Sequence, residues 1–118
     1  MSRVVKFYTA ENGKKPVKIF IDGLSGKVAQ KIAWVLSLVE DMEKIPATYF
    51  KKLKDSDDIW ECRIKLGSNI YRIFCFFDGN TKVVLTHGLI KKTQKTPRQE
   101  IVKAENYKKD YFMKKKHS

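Results

Sequence analysis

An α+β fold with an antiparallel sheet is the class this sequence predicts, and three observations predict it. Apolar residues in the first third recur at helical spacing, from about residue 49 the period switches to two, and after Pro97 a helical pattern returns. The 118 residues, 42% apolar and 32% charged, are expected to form one globular domain over 1–118, large enough for a core without disulfides or metals. No internal repeat or linker interrupts them.

"RVVKFYT" (3–9) is β-branched and aromatic, a first strand, and "ENGKK" is a turn. Pro16 suits the first position of a short helix with Val17, Phe20, Ile21 and Leu24 on one face. Ser25 is placed to cap a longer helix whose stripe is Val28, Ile32, Val35, Leu36, Val39 and Met42, with Pro46 beyond its end. "YFKKLK" (49–54) reads as a strand. In "WECRIKLG" (60–67), Trp60, Cys62, Ile64 and Leu66 face one way and Glu61, Arg63 and Lys65 the other. "IYRIFCFF" (70–77) is apolar on both faces except at Arg72, as a central strand would be, and "KVVLTHGLIKK" (82–92) is the last strand. The tail is expected to be a helix with Thr96 as N-cap, Pro97 at its first position and Gln99 completing a capping box. The architecture predicted is an antiparallel meander with two N-terminal helices packed on it and a C-terminal helix.

The turns fix a register. With Gly67-Ser68 as a two-residue hairpin loop, Leu66 faces Asn69 and Arg63 falls opposite Arg72. The "DGNT" turn, read with two or four loop residues, sets Arg72 opposite His87. A row of basic or titratable side chains then crosses three strands, with Lys65 and Lys91 on the same face. Like charges directly opposite each other cost a sheet ~0.2–1 kcal/mol, so stability alone does not select this arrangement. For either arginine alone, pairing with a carboxylate (Glu61, or Asp55, Asp57 or Asp58) is the better account. For the row together with the lysines after it, an anion site is. The register depends on the loop: three residues at 67–69 would break the row.

Charge points the same way. The net charge is +12, and residues 91–118 alone hold ten Lys/Arg against three Asp/Glu. Such an excess fits a polyanionic partner such as nucleic acid, although an acidic protein partner fits composition equally well. Cys62 and Cys75 lie in strands and form no CxxC pair, and with His87 and His117 the only histidines a zinc site is not expected. Reduced, buried thiols and a cytoplasmic location are the expectation. No signal-peptide h-region opens the chain, and "IAWVLSLV" is too short to span a bilayer.

A sheet face carrying Arg63, Lys65, Arg72, Lys91 and Lys92 can hold a phosphodiester and stabilise charge developing on phosphorus. The helix starting near Pro97 can add backbone donors. Without a carboxylate cluster for two metals, RNA cleavage would run through attack of the 2′-OH on the adjacent phosphate. His87 is the titratable candidate for proton transfer, with a hydrogen-bonded structural role equally open. Trp60 and Tyr71 are assigned to the core. Phe74 stays open between core and base stacking, because the register puts it on the basic face.

"PVKIFIDGL", "FKKLKDSDDIWECRIKLGSNIYRIFCFF" and "HGLIKKTQKTPRQEIVKAENYKKDY" together resemble the phage Gp49-like, HigB-type branch of the RelE/ParE toxin superfamily, over residues 3–112. The resemblance implies the toxin of a type II toxin–antitoxin pair, an endoribonuclease that cleaves mRNA on the ribosome without a cofactor. Its implied partner is a HigA-type helix-turn-helix antitoxin, through which alone operator DNA is contacted. By position, the catalytic candidates become Arg63, Arg72, Lys91 and Lys92, joined by His87 from the residues themselves. Lys65, Lys95, Arg98 and Phe74 are assigned to RNA or phosphate binding. Some RelE relatives carry a tyrosine soon after the terminal basic residue; "TQKTPRQ" has none, and Tyr107 and Tyr111 lie well down the helix. The alternative is a ParE-like toxin that inhibits a protein target such as DNA gyrase.

Overall fold

The computed structural model describes residues 2–91 and 95–117. Eight elements follow in order: β1 (Val4–Phe7), α1 (Pro16–Asp22), α2 (Gly26–Asp41), β2 (Phe50–Lys52), β3 (Trp60–Leu66), β4 (Asn69–Asp78), β5 (Lys82–Lys91) and α3 (Arg98–Lys116). The sheet order is β1-β5-β4-β3-β2. The expected meander β2–β5 is antiparallel, but β1 joins the far edge of β5 in parallel, so the sheet is mixed. The chain leaves β1 through α1 and α2 to β2 at the opposite edge and reaches β5 by the meander, a connection well beyond the length that parallel pairing requires.

The two faces are buried against different layers. Cys62, Ile64, Tyr71, Ile73, Cys75, Val83 and Leu85 meet Val17 of α1 and Val28, Ile32, Val35 and Val39 of α2. Ser25 caps α2 as expected, its Oγ accepting the Val28 N–H at 3.4 Å, whereas Met42 is the C-cap of the helix and is partly exposed. Gly88 lets α1 approach closely: a Cβ there would stand 2.3 Å from the Phe20 ring. Both cysteines are free and buried.

On the other face α3 lies over part of the sheet, packing Ala104, Tyr107, Tyr111 and Phe112 against Tyr8, Phe74, Phe76 and Val84. Two tyrosine–carboxylate–lysine ties anchor its far end. Tyr111 Oη donates to Asp78 at 2.7 Å with Lys115 on the same carboxylate, and Tyr8 Oη donates to Asp110, which also holds Lys114. The tail lysines at 114 and 115 therefore serve the docking of α3. Near its start, the loop before β3 is clipped on, with the Asp57 N–H donating to Glu105 at 2.8 Å and Lys108 donating to the Asp57 carbonyl at 2.7 Å. That loop carries left-handed Asp55 and Asp58.

Candidate active site

The hairpin at Gly67-Ser68 has the expected register, Leu66 opposite Asn69 and Arg63 opposite Arg72, with Gly67 at φ +63°. Two guanidiniums at directly opposed positions are held there by one carboxylate. Glu61 Oε1 accepts from Arg72 Nη1 and lies 3.2 Å from Arg63 Nε, while Glu61 Oε2 accepts the Thr96 hydroxyl at 2.8 Å. Thr96 Oγ1 in turn accepts from Arg72 Nη1 at 3.4 Å. The set carries two positive charges against one negative, and a buried charge is tolerated only when paired and hydrogen-bonded in this way. Arg72 is 1% exposed and forms the floor; Arg63 is the member that reaches solvent.

Thr96 is thus not the helix cap that the sequence suggests. Pro97 occupies the N-cap position of α3 with no side-chain bond, and the threonine hydroxyl is spent on Glu61 instead. A long-range carboxylate outcompetes the local cap because it holds two arginines that need it.

The second hairpin departs from expectation. A three-residue connection with Gly79 at φ +70° and a β-bulge between Phe74 and Cys75 each shift the partner by one residue. Arg72 therefore faces Leu89, and His87 faces Phe74. Two single shifts restore the parity, so His87 keeps its predicted face but sits one row away, underneath α3. It is 3% exposed, stacks on Phe74 at 4.7 Å, and meets Thr86 Oγ1 and Glu100 Oε1, each at 3.1 Å. Burial, aided by Lys103 and opposed by Glu100, depresses its pKa to about 4. The neutral ring donates from Nε2 to Glu100, while the Thr86 hydroxyl beside Nδ1 donates to the Phe74 carbonyl at 3.1 Å. His87 is corrected from a proton-transfer candidate to an internal, hydrogen-bonded residue. Phe74, fully buried, is corrected from a base-stacking candidate to core.

One row further, Lys65 and Lys91 flank Ile70 on the same face as Arg63 and Arg72. Lys91 Nζ donates to the Lys95 carbonyl at 3.3 Å, and the Lys95 side chain is exposed. Lys92 lies outside the described residues. Arg98 is diverted: its Nη1 donates to the Asp55 carbonyl at 2.5 Å, bracing the loop before β3 against α3. Arg63 stands between two depressions. One, of about 230 Å³, is lined by Lys51, Lys54, Glu61, Arg72 and Thr96 among others. The other, of about 470 Å³, is lined by Lys31, Thr48, Tyr49, Lys65 and Ile70. Lys31, Lys51 and Lys54 escaped the sequence reading; the alternation of β2 against β3, which sets Lys51 beside Glu61, is the signal that could have found Lys51. Among the described residues, no group of three His, Cys, Asp or Glu side chains is placed to hold a metal, and no helix is long and apolar enough to cross a membrane.

The model of the phage-derived protein Gp49-like family (DUF891) matches residues 19–109, from α1 to the middle of α3. The chain belongs to the Gp49-like family. A search of curated proteins finds no match. The matched stretch contains every residue of the arginine–glutamate–threonine set, and Gp49-like membership is compatible with a toxin of a toxin–antitoxin system. The three helices and five-stranded mixed sheet among the described residues of this Gp49-like chain are likewise compatible with a RelE-like fold. Neither tyrosine of α3 named above reaches the cleft: Tyr107 stacks on Tyr8 at 4.7 Å, and Tyr111 is bonded to Asp78.

Proposed function

We propose that this protein is the toxin of a type II toxin–antitoxin pair, acting in the cytoplasm as a metal-independent endoribonuclease on mRNA held by the ribosome. A HigA-type helix-turn-helix antitoxin would neutralise it and alone contact operator DNA. The observation that carries the reading is the opposed Arg63–Arg72 pair, bridged by Glu61 at the floor of an otherwise basic cleft. A sheet gains nothing in stability from that pair, whereas a phosphodiester gains a rigid cationic cradle.

In this mechanism Arg63, Lys65 and Lys91 contact the scissile phosphate and offset the charge that builds on its oxygens. The 2′-OH attacks phosphorus and the 5′-oxygen leaves, giving a 2′,3′-cyclic phosphate and a 5′-hydroxyl end. Arg72, enclosed by Glu61 and Thr96, is a positioning residue: it fixes Glu61, which aims Arg63. Induced expression followed by mapping of transcript 5′ ends tests the reading. Codon-phased cuts in translated messages that vanish in Arg63→Ala support it. Growth arrest with intact mRNA and an induced DNA-damage response would overturn it in favour of a gyrase-directed, ParE-like toxin.

A further inference from the structure

Trp34 stands outside the core that the rest of α2 builds. The apolar stripe of α2 that enters the core is Val28, Ile32, Val35 and Val39, and Trp34 stands off it, 49% exposed. Its only ring contact among the described residues is Tyr49, which meets it edge-on with centroids 5.5 Å apart and planes at 88°. Tyr49 lies in the depression that Arg63 also lines. Lys31, one turn before Trp34, donates to the Lys65 carbonyl at 2.6 Å and so fixes this part of α2 to the open edge of β3.

Past Lys31 the surface continues into a further hollow of about 350 Å³, lined by Lys27, Gln30, Lys31, Trp34 and Leu66. The two hollows share Lys31, and the first shares Arg63 with the cleft. Together they form a track from the arginine pair across the sheet edge to the exposed indole. Neither hollow is lined by a carboxylate, and four cations, Lys27, Lys31, Arg63 and Lys65, line them. A cationic groove with an aromatic face at a distance from the phosphate site is the pattern that binds single-stranded nucleic acid, with backbone in the groove and a base on the ring.

We propose that the α2 groove is a binding site for single-stranded RNA, in which Trp34 stacks a nucleobase of the strand whose phosphate lies at Arg63. The site rests on the nuclease reading for its orientation relative to the cleft, but its ligand chemistry stands on its own. Stacking is indifferent to base identity, so Trp34 supplies affinity and strand direction without codon preference.

The chain's two tryptophans make a direct test. In a Trp60→Phe background Trp34 is the sole tryptophan. Titration of that protein with a short single-stranded oligoribonucleotide is expected to quench its fluorescence. Trp34→Ala is expected to weaken binding of the same oligonucleotide roughly tenfold, and Trp34→Phe to restore most of it. Lys27→Ala with Lys31→Ala should weaken binding and steepen its loss with salt less than wild type. Quenching without transcript cleavage would leave this site intact while removing the nuclease reading. Cleavage that depends on Arg63, with RNA affinity unchanged in Trp34→Ala and no quenching, would overturn the site and leave the nuclease. Quenching by polyglutamate but not by the oligonucleotide would also overturn it, by assigning the groove to an acidic protein.

Discussion

Arg63 and Arg72 share a carboxylate yet are expected to fail differently. Removing Arg72 takes the buried partner from Glu61 and opens a space the size of a guanidinium, so Arg72→Ala should cost about 3 kcal/mol in chemical denaturation. Arg63→Ala, at the solvent side, should change stability by less than about 1 kcal/mol while lowering RNA cleavage on the order of a hundredfold. If the two variants lose activity equally with stability unchanged, Arg72 contacts the substrate directly. His87 writes itself into the pH dependence of stability. Its imidazole titrates near 6.5 when unfolded and near 4 when folded, so the unfolded chain takes up the proton first. Its contribution is complete above pH 6.5 and is lost as the pH falls toward 4, by roughly 3 kcal/mol. His87→Gln should flatten the stability profile across that window, whatever its effect at neutral pH. Asp78 and Asp110, held below the usual carboxylate range by their lysine and tyrosine partners, add acid sensitivity at lower pH.

At the scale of elements, the legible parts were those fixed by neighbours in sequence. The β3–β4 register follows from a two-residue glycine turn, and the Ser25 cap and α2 stripe from local chemistry and spacing. The β4–β5 register failed because a bulge in the middle of the strands is decided by packing beneath α3, with no turn residue to announce it. The Thr96 cap failed for a similar reason, a distant carboxylate outbidding a local amide. Nor did α3 advertise its docking face: Ile101, Ala104, Tyr107 and Tyr111 are spaced for one face but diluted among lysines. Gly88 was read as part of a strand, and only the approach of α1 reveals its role. Gly88→Ala should force the Phe20 ring aside and cost about 1–3 kcal/mol, measurable as a lowered denaturation midpoint.

For the whole molecule, the +12 charge is unevenly used. Lys114 and Lys115 are tied to carboxylates that dock α3, and Lys52 at the cleft is tied to Asp58. Among the described residues lining the cleft and the α2 groove, by contrast, Glu61 is the one carboxylate beside Lys27, Lys31, Lys51, Lys54, Arg63, Lys65 and Arg72. The composition indicated an anionic partner but could not say which lysines remain available to it. That distribution exists only once the sheet brings α2, β2 and β3 to one edge. RNA binding should accordingly weaken steeply with salt, and Arg63→Ala should reduce the slope of log K against log salt by about 0.7, the value for one lost single-strand phosphate contact. Lys114→Ala should leave that slope unchanged.

The parallel pairing of β1 with β5 also sets a schedule for biosynthesis. Val4 meets Lys82, seventy-eight residues later in the chain, so the strand translated first waits for the strand translated last. At the pace of synthesis that wait is roughly 4–16 s. Thr96, which closes the arginine pair, emerges later still. A protein proposed to cut messages on ribosomes therefore has no complete cleft until Thr96 has been translated, and a copy ended before that residue lacks what would complete it.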